Sequence, residues 1–177
     1  MPADRLLAAV RTVPDFPTPG VQFKDLTPVL ADADLSREML DRLAAPWVAS
    51  GITHVVGIEA RGFWFGGGIA ARLDAGFVPA RKPGKLPAAT LRQSYALEYG
   101  EDVVELHADA FAGTDAPRVL LHDDVIATGG TAAAVCALVA EAGGTVVGCS
   151  FAMELAFLDG RRHLPDGVPI DAVLRVD

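Results

Sequence analysis

Apolar positions fall into two alternating kinds of stretch along the chain: short β-branched runs of strand length and longer segments with helical spacing. Residues 3–12 predict a short helix, ended by the turn-rich PDFPTPG at 14–20. Residues 34–49 place Leu35, Met39, Leu40, Leu43 and Trp47 at helical spacing, with Pro46 bending or shortening the helix and Gly51 stopping it. ITHVVGI (52–58) predicts a strand, and EARGFWFGGGIAARL starts as a turn and continues as a helix. GFVPARK (76–82) and RVLLHD (118–123) predict further strands, with a helix over Thr131–Ala142 closed by Gly143-Gly144. TVVGCSFAM (145–153) and PIDAVLRV (169–176) complete the strand set.

Strands alternating with helices predict an α/β fold, a mostly parallel central sheet flanked by helices. In such sheets ligands bind outside the carboxyl ends of the strands, where the loop after residue 121 falls. Residues 83–102 lack a long apolar run and carry Pro83, Gly84, Pro87 and Gly100, which predicts an extended loop or a hairpin projecting from the core. An excursion of that length in a compact domain is more often functional than filler.

Composition narrows the picture. A chain of 177 residues, 51% of them hydrophobic, predicts one globular domain over 1–177. No apolar run reaches the length of a membrane span, and the polar start Met1-Pro2-Ala3-Asp4-Arg5 does not resemble a secretory signal, so a cytoplasmic protein is expected. Cys136 and Cys149 read as small buried hydrophobes rather than a disulfide framework. A net charge of −8 argues against nucleic-acid binding but leaves local phosphate sites open. Basic residues cluster once, at Arg81, Lys82 and Lys85 with Arg92 nearby, as a solvated loop or an anion site. His54, His107, His122 and His163 show no metal-ligand spacing, and His122 reads as a packed strand residue.

The densest chemistry is RVLLHDDVIATGGTAAAV, 118–135. The strand delivers Asp123 and Asp124 to the sheet edge, and Thr128, Gly129, Gly130 and Thr131 form the turn that opens the next helix. Glycines let backbone N–H groups converge, the helix dipole adds positive potential, and threonine hydroxyls donate further hydrogen bonds. That suits one compact anion such as a phosphate monoester. Neither GxxxxGK[ST] nor GxGxxG is present. The acids, upstream of the turn, could accept from sugar hydroxyls or hold Mg²⁺ directly or through water. A ribose 5-phosphate satisfies both halves. Taken alone, a DD pair is more often a turn cap and a TGGT an ordinary connection.

With these residues in view the chain resembles the type I phosphoribosyltransferase family, and within it the branch that uses adenine. The resemblance rests on DFPTPGVQFKDLTPVL (15–30), GIEARGFWFG (57–66), RKPGKLP (81–87), SYALEYG (94–100) and DDVIATGGT, five blocks in order over nearly the whole chain. It implies transfer of phosphoribose from 5-phosphoribosyl-1-pyrophosphate to adenine, giving AMP and pyrophosphate in purine salvage, with Mg²⁺ as cofactor. The C1′ bond would break through an oxocarbenium-like transition state, so leaving-group stabilisation and exclusion of water matter more than a strong nucleophile.

The roles that the resemblance implies follow block by block. Arg61 binds the pyrophosphate in the loop Glu59-Ala60-Arg61-Gly62. Arg81, Lys82 and Lys85 match a basic segment that reaches the pyrophosphate of a neighbouring subunit, which implies a homodimer with Arg81 and Lys85 serving the other site. Pro83 stands where some relatives carry another basic residue. Residues 83–102 match a flexible hood over the active site, in which Tyr99 closes on substrate and Glu98 is the catalytic group handling the purine's proton. Related hypoxanthine-guanine enzymes carry an acid at the position of Ala127, so a side-chain base here must come from elsewhere. Phe23 and Lys24 match the adenine pocket, with Val125 and Ile126 on the other face of the base and lysine in place of the more usual arginine. ELAFLDG (154–160) matches the segment whose backbone reads the adenine edge. Asp123 and Asp124 face sugar hydroxyls and an indirectly held metal.

Two other readings stay open. One is a phosphoribosyltransferase for another purine, disfavoured by Ala127 and SYALEYG. The other is a regulator that senses phosphoribosyl pyrophosphate without catalysis, disfavoured by the absence of a basic face or added length.

Overall fold

The computed structural model describes residues 4–97 and 100–177, with the backbone alone for residues 96, 97, 100 and 101. Its contacts divide into two units, Met1–Arg42 and Leu43–Asp177.

In the first unit α1 (Arg5–Ala9) is capped by Asp4, whose carboxylate accepts from the Leu6 N–H at 3.0 Å. The helix predicted over 3–12 is shorter than expected. Val10 turns extended, and residues Arg11–Pro14 form β1, antiparallel to β2 (Gln22–Asp25). The hairpin explains the difference: PDFPTPG connects two strands, and Arg11 donates through Nε to Asp25 at 3.0 Å across the pair. Pairing partners 14 residues away override the local helical pattern. Next come α2 (Thr27–Ala31) and α3 (Ala33–Ala44), followed by a 3-10 turn at Ala45–Trp47, so Pro46 does end the α-helix.

The second unit is built on five strands, β3 (His54–Ile58), β4 (Gly76–Ala80), β7 (Arg118–Ile126), β8 (Thr145–Leu155) and β9 (Ile170–Val176). They lie in the order β4-β3-β7-β8-β9 with every pairing parallel, the predicted α/β architecture. β3 and β4 are joined by α4 (Phe63–Arg72), β7 and β8 by α5 (Gly130–Glu141). Val135, Leu138 and Val139 of α5 are fully buried against sheet residues such as Val56, Leu121 and Phe151. Burying side chains of this size contributes roughly 2 kcal/mol each. Trp47 closes over β8 where only a glycine fits: a Cβ at Gly148 would lie 2.2 Å from the indole ring.

Between β4 and β7 stands the antiparallel hairpin β5 (Thr90–Leu97) and β6 (Gly100–His107). It starts later and runs five residues further than the predicted excursion over 83–102. The extension follows from burial, since Val104 and Leu106 reach the core, and Arg81 and Glu105 exchange both backbone hydrogen bonds at 2.8 and 2.7 Å.

Candidate active site

β7 is longer than its apolar run suggested. It stays paired with β8 through Asp123↔Phe151 and Ile126↔Glu154, so the acid pair sits inside the strand rather than beyond its edge. Strand alternation then separates the two side chains. Asp123 is partly buried and lines a cleft of about 180 Å³ with Arg61, Val125, Thr128, Gly129 and Thr131. Asp124 is 2% exposed, and its Oδ2 pairs with Arg61 Nε at 2.9 Å. Its other oxygen is buried and has no hydrogen-bond partner among the described residues. The Asp124 N–H donates to Asp123 Oδ1 at 2.8 Å. Burial pushes both carboxyls above the usual carboxylate range; the Asp124 charge raises Asp123 further, and Arg61 partly offsets the rise at Asp124.

The turn Ala127–Gly129 leads into α5 as expected, and the cleft gathers Val125, Ala127, Thr128, Gly129 and Thr131 around Asp123 and Arg61. Gly130 faces a neighbouring hollow of about 460 Å³ with Tyr95 and His163. Gly129 has φ +81°, and a Cβ there would lie 2.2 Å from the Gly160 carbonyl oxygen. Position 129 therefore requires glycine on two counts. His122, on the strand face opposite Asp123, is fully buried with Nδ1 3.0 Å from the Ser150 carbonyl oxygen; burial pushes its pKa down to about 4. It is a packed strand histidine, as read from the sequence.

The basic segment is held by acids of its own chain. Arg81 donates to both Glu59 oxygens at 3.2 Å, the Lys82 N–H donates to Glu59 at 2.8 Å, and Lys82 Nζ pairs with Asp102 at 3.0 Å. The Lys85 carbonyl accepts from Arg81 at 3.3 Å. The Arg81 guanidinium and Lys82 amide hold the Glu59 carboxyl below its ordinary range despite its burial, and Lys82 does the same for Asp102. Tyr95 donates to Asp102 at 3.1 Å and also meets the Thr131 hydroxyl, tying the hairpin to the turn. Glu98 and Tyr99 lie outside the described residues. Phe23 and Lys24 belong to the first unit, where Phe23 meets the edge of Phe16 at 5.2 Å and Lys24 Nζ donates to Thr12 at 2.9 Å.

Residues that the sequence reading passed over stand behind the turn. Glu154, 6% exposed, receives a two-pronged contact from Arg161 at 2.7 and 2.8 Å, while Arg161 also donates to the Ile170 carbonyl at 2.9 Å. Glu154 opens the ELAFLDG block, but nothing local in the sequence names Arg161 as its partner. Glu59 and Asp102 were equally silent, because a partner for each lies about 20 residues away. Among the described residues no group of three or more His, Cys, Asp or Glu side chains could hold a metal.

The phosphoribosyl transferase domain pattern matches residues 33–163. The chain belongs to the phosphoribosyltransferase family. Within the family its relatives are the adenine phosphoribosyltransferases. That of Gloeobacter violaceus is 54% identical over 158 residues, 89% of this chain and 91% of its own length. That of Maricaulis maris is 50% identical over 170 residues, 96% of each. Among solved structures, the adenine phosphoribosyltransferase of Rhodothermus marinus matches with a TM-score of 0.91 and 57% identity, covering 97% of both chains. The Saccharomyces cerevisiae enzyme, crystallised with adenine and an imino-altritol bisphosphate, matches with a TM-score of 0.88 and 37% identity over 96% of this chain and 97% of its own. As a phosphoribosyltransferase, this chain presents its acid-bearing strand and glycine turn at the carboxyl end of the central strand of the sheet.

Proposed function

We propose that the protein is an adenine phosphoribosyltransferase of purine salvage, joining adenine to 5-phosphoribosyl-1-pyrophosphate to give AMP and pyrophosphate. The observation that carries this reading is one cleft in which Asp123 and Arg61 share walls with the Thr128–Thr131 turn. Sugar hydroxyls, an anionic leaving group and a terminal phosphate need those three chemistries side by side.

The turn binds the 5′-phosphate through backbone N–H groups at the start of α5 and the Thr128 and Thr131 hydroxyls. Asp123 accepts from ribose hydroxyls and so sets the orientation of C1′. Arg61, anchored on buried Asp124, brings a fixed positive charge to the pyrophosphate as negative charge develops there. Arg81, Lys82 and Lys85 add positive charge on the same side. Arg81 must leave Glu59 before it can reach an anion, in its own site or across a homodimer. By the family resemblance Phe23 and Lys24 serve adenine recognition and Val125 faces the base; Ala127 leaves room beside it, Glu98 handles the purine proton and Tyr99 closes the hood. A divalent cation fits the acid pair: Asp123 lies in the cleft, and one buried oxygen of Asp124 has no hydrogen-bond partner among the described residues. Mg²⁺ would supply charge neutralisation on the pyrophosphate, held by these acids through water or substrate. A cytoplasmic location belongs to the same reading, in keeping with two buried free cysteines, Cys136 and Cys149. No helix among the described residues is long and apolar enough to cross a membrane.

The test is incubation with phosphoribosyl pyrophosphate, Mg²⁺ and each purine base in turn. AMP formed from adenine, with no nucleotide from hypoxanthine, guanine or xanthine, is the expected result. Product from another base alone would replace the substrate assignment, and no product from any base would remove the activity.

A further inference from the structure

The phosphate turn is braced from behind by the short 3-10 segment Gly160–His163, and the contacts are close enough to orient individual peptide groups. A Cβ on Gly160 would lie 2.2 Å from the Ala127 carbonyl oxygen, and one on Gly129 equally near the Gly160 carbonyl. The two glycines therefore pack backbone to backbone. Upstream, the pair of buried Glu154 with half-buried Arg161 fixes where the segment begins. Its last residue, His163, places Nδ1 2.7 Å from the Thr128 carbonyl oxygen. A carbonyl can only accept, so Nδ1 carries the proton and donates.

That hydrogen bond acts on the far side of a peptide plane. In a trans peptide the N–H of residue 129 points opposite to the C=O of residue 128. His163 lies on the hollow beside α5, with Thr128 and Gly130, whereas Gly129 lines the cleft of Asp123 and Arg61 and His163 does not. Drawing the Thr128 carbonyl toward His163 thus turns the Gly129 N–H away from His163, and Gly129 is a residue of the cleft wall.

We propose that His163 is a positioning residue for the 5′-phosphate: by holding the Thr128 carbonyl it aims the Gly129 N–H at the anion. This rests on reading 128–131 as the 5′-phosphate turn. His163 touches neither base nor leaving group in this scheme, so its effect falls on binding of phosphorylated ribose alone.

Three variants test it. His163→Phe removes the donor, His163→Asn keeps one near the position of Nδ1, and His163→Gln moves it further along the side chain. The expected result is a rise of about fivefold in KM for phosphoribosyl pyrophosphate in the Phe and Gln variants, the share of one hydrogen bond. The Asn variant returns to within about twofold of wild type, and kcat and KM for adenine stay within about twofold throughout. Calorimetric titration with ribose 5-phosphate should show the same loss and the same rescue. If Phe does not fold, Gln carries the comparison. Unchanged KM and ribose 5-phosphate affinity in Phe or Gln overturn the proposal, as does a fall in kcat with a rise in both KM values that Asn does not rescue. A wild-type protein that makes no AMP from adenine refutes the assigned activity separately, while the ribose 5-phosphate titration still reads the His163 contact.

Discussion

The two regions proposed to bind the 5′-phosphate and the pyrophosphate are built on opposite principles. The phosphate turn and acid pair sit at the end of a central strand, held by sheet pairing, backbone contact between Gly129 and Gly160, and near-complete burial of Asp124. The pyrophosphate side, from Arg61 to the hairpin, is a set of side-chain ion pairs: Arg81 with Glu59, Lys82 with Asp102, and half-exposed Arg61 with Asp124. The first region is shaped before substrate arrives and has little to rearrange. Apart from anchored Arg61, the second holds its cations, Arg81 and Lys82, on internal carboxylates, which in the proposed reaction the substrate's anionic groups displace. Rigid geometry suits the group that stays on the product, and exchangeable pairs suit the group that leaves.

The largest expected effect comes from forcing the rigid side to move. Gly129→Ala puts a Cβ 2.2 Å from the Gly160 carbonyl at φ +81°, and kcat/KM for phosphoribosyl pyrophosphate should fall by on the order of 100-fold or more. Near-wild-type kinetics would mean that the turn is as adaptable as the ion pairs. Next in size, Asp124→Asn keeps the shape but weakens the anchor of Arg61. Loss of a charge-assisted hydrogen bond predicts a drop of roughly 10- to 100-fold in kcat/KM with secondary structure intact by circular dichroism.

A pH series isolates burial on the rigid side. His122 has a folded pKa of about 4 against an unfolded value near 6.5, so the folded state binds fewer protons between these limits. Stability from this residue is therefore fully present above about pH 6.5 and lost as pH falls toward 4, by roughly 3 kcal/mol. The acid pair has the opposite sign, since its raised folded pKa values favour the fold at low pH. His122→Leu should flatten the loss between pH 6.5 and 4 in denaturant melts; an unchanged profile would assign that loss to other groups. The smallest effect belongs to the exchangeable side. Asp102→Asn removes a competitor for Lys82 and should lower KM for phosphoribosyl pyrophosphate by about twofold, as an exposed pair allows. A rise would show that Asp102 positions Lys82 instead of competing for it.

The rigid half of this contrast was legible in the sequence. The apolar run ending in Asp123-Asp124 and the glycine turn that follows form a local pattern, and the structure brings Asp123 and the turn together in one cleft. Local pattern misjudged two boundaries for one reason. Residues 11 and 12 carry a helical pattern yet pair with 24 and 25, and the hairpin reaches His107 because Val104 and Leu106 are buried. In both, partners remote in sequence supply the deciding energy. The ion pairs were invisible because charge on a flexible side chain does not name its partner: Arg81 could have met any acid within reach and meets Glu59.

From the sequence alone follow the alternation of strand and helix and the glycine turn with its acids, which depend on residues a few positions apart, and the family, which depends on the order of five local blocks. Tertiary structure alone decided that Asp123 faces the cleft while Asp124 is buried under Arg61, that Gly160 and His163 stand behind the turn, and that the basic segment is held by Glu59 and Asp102. Those choices depend on strand register, burial and side-chain reach across 20 or more residues, and such distances close only when the chain folds.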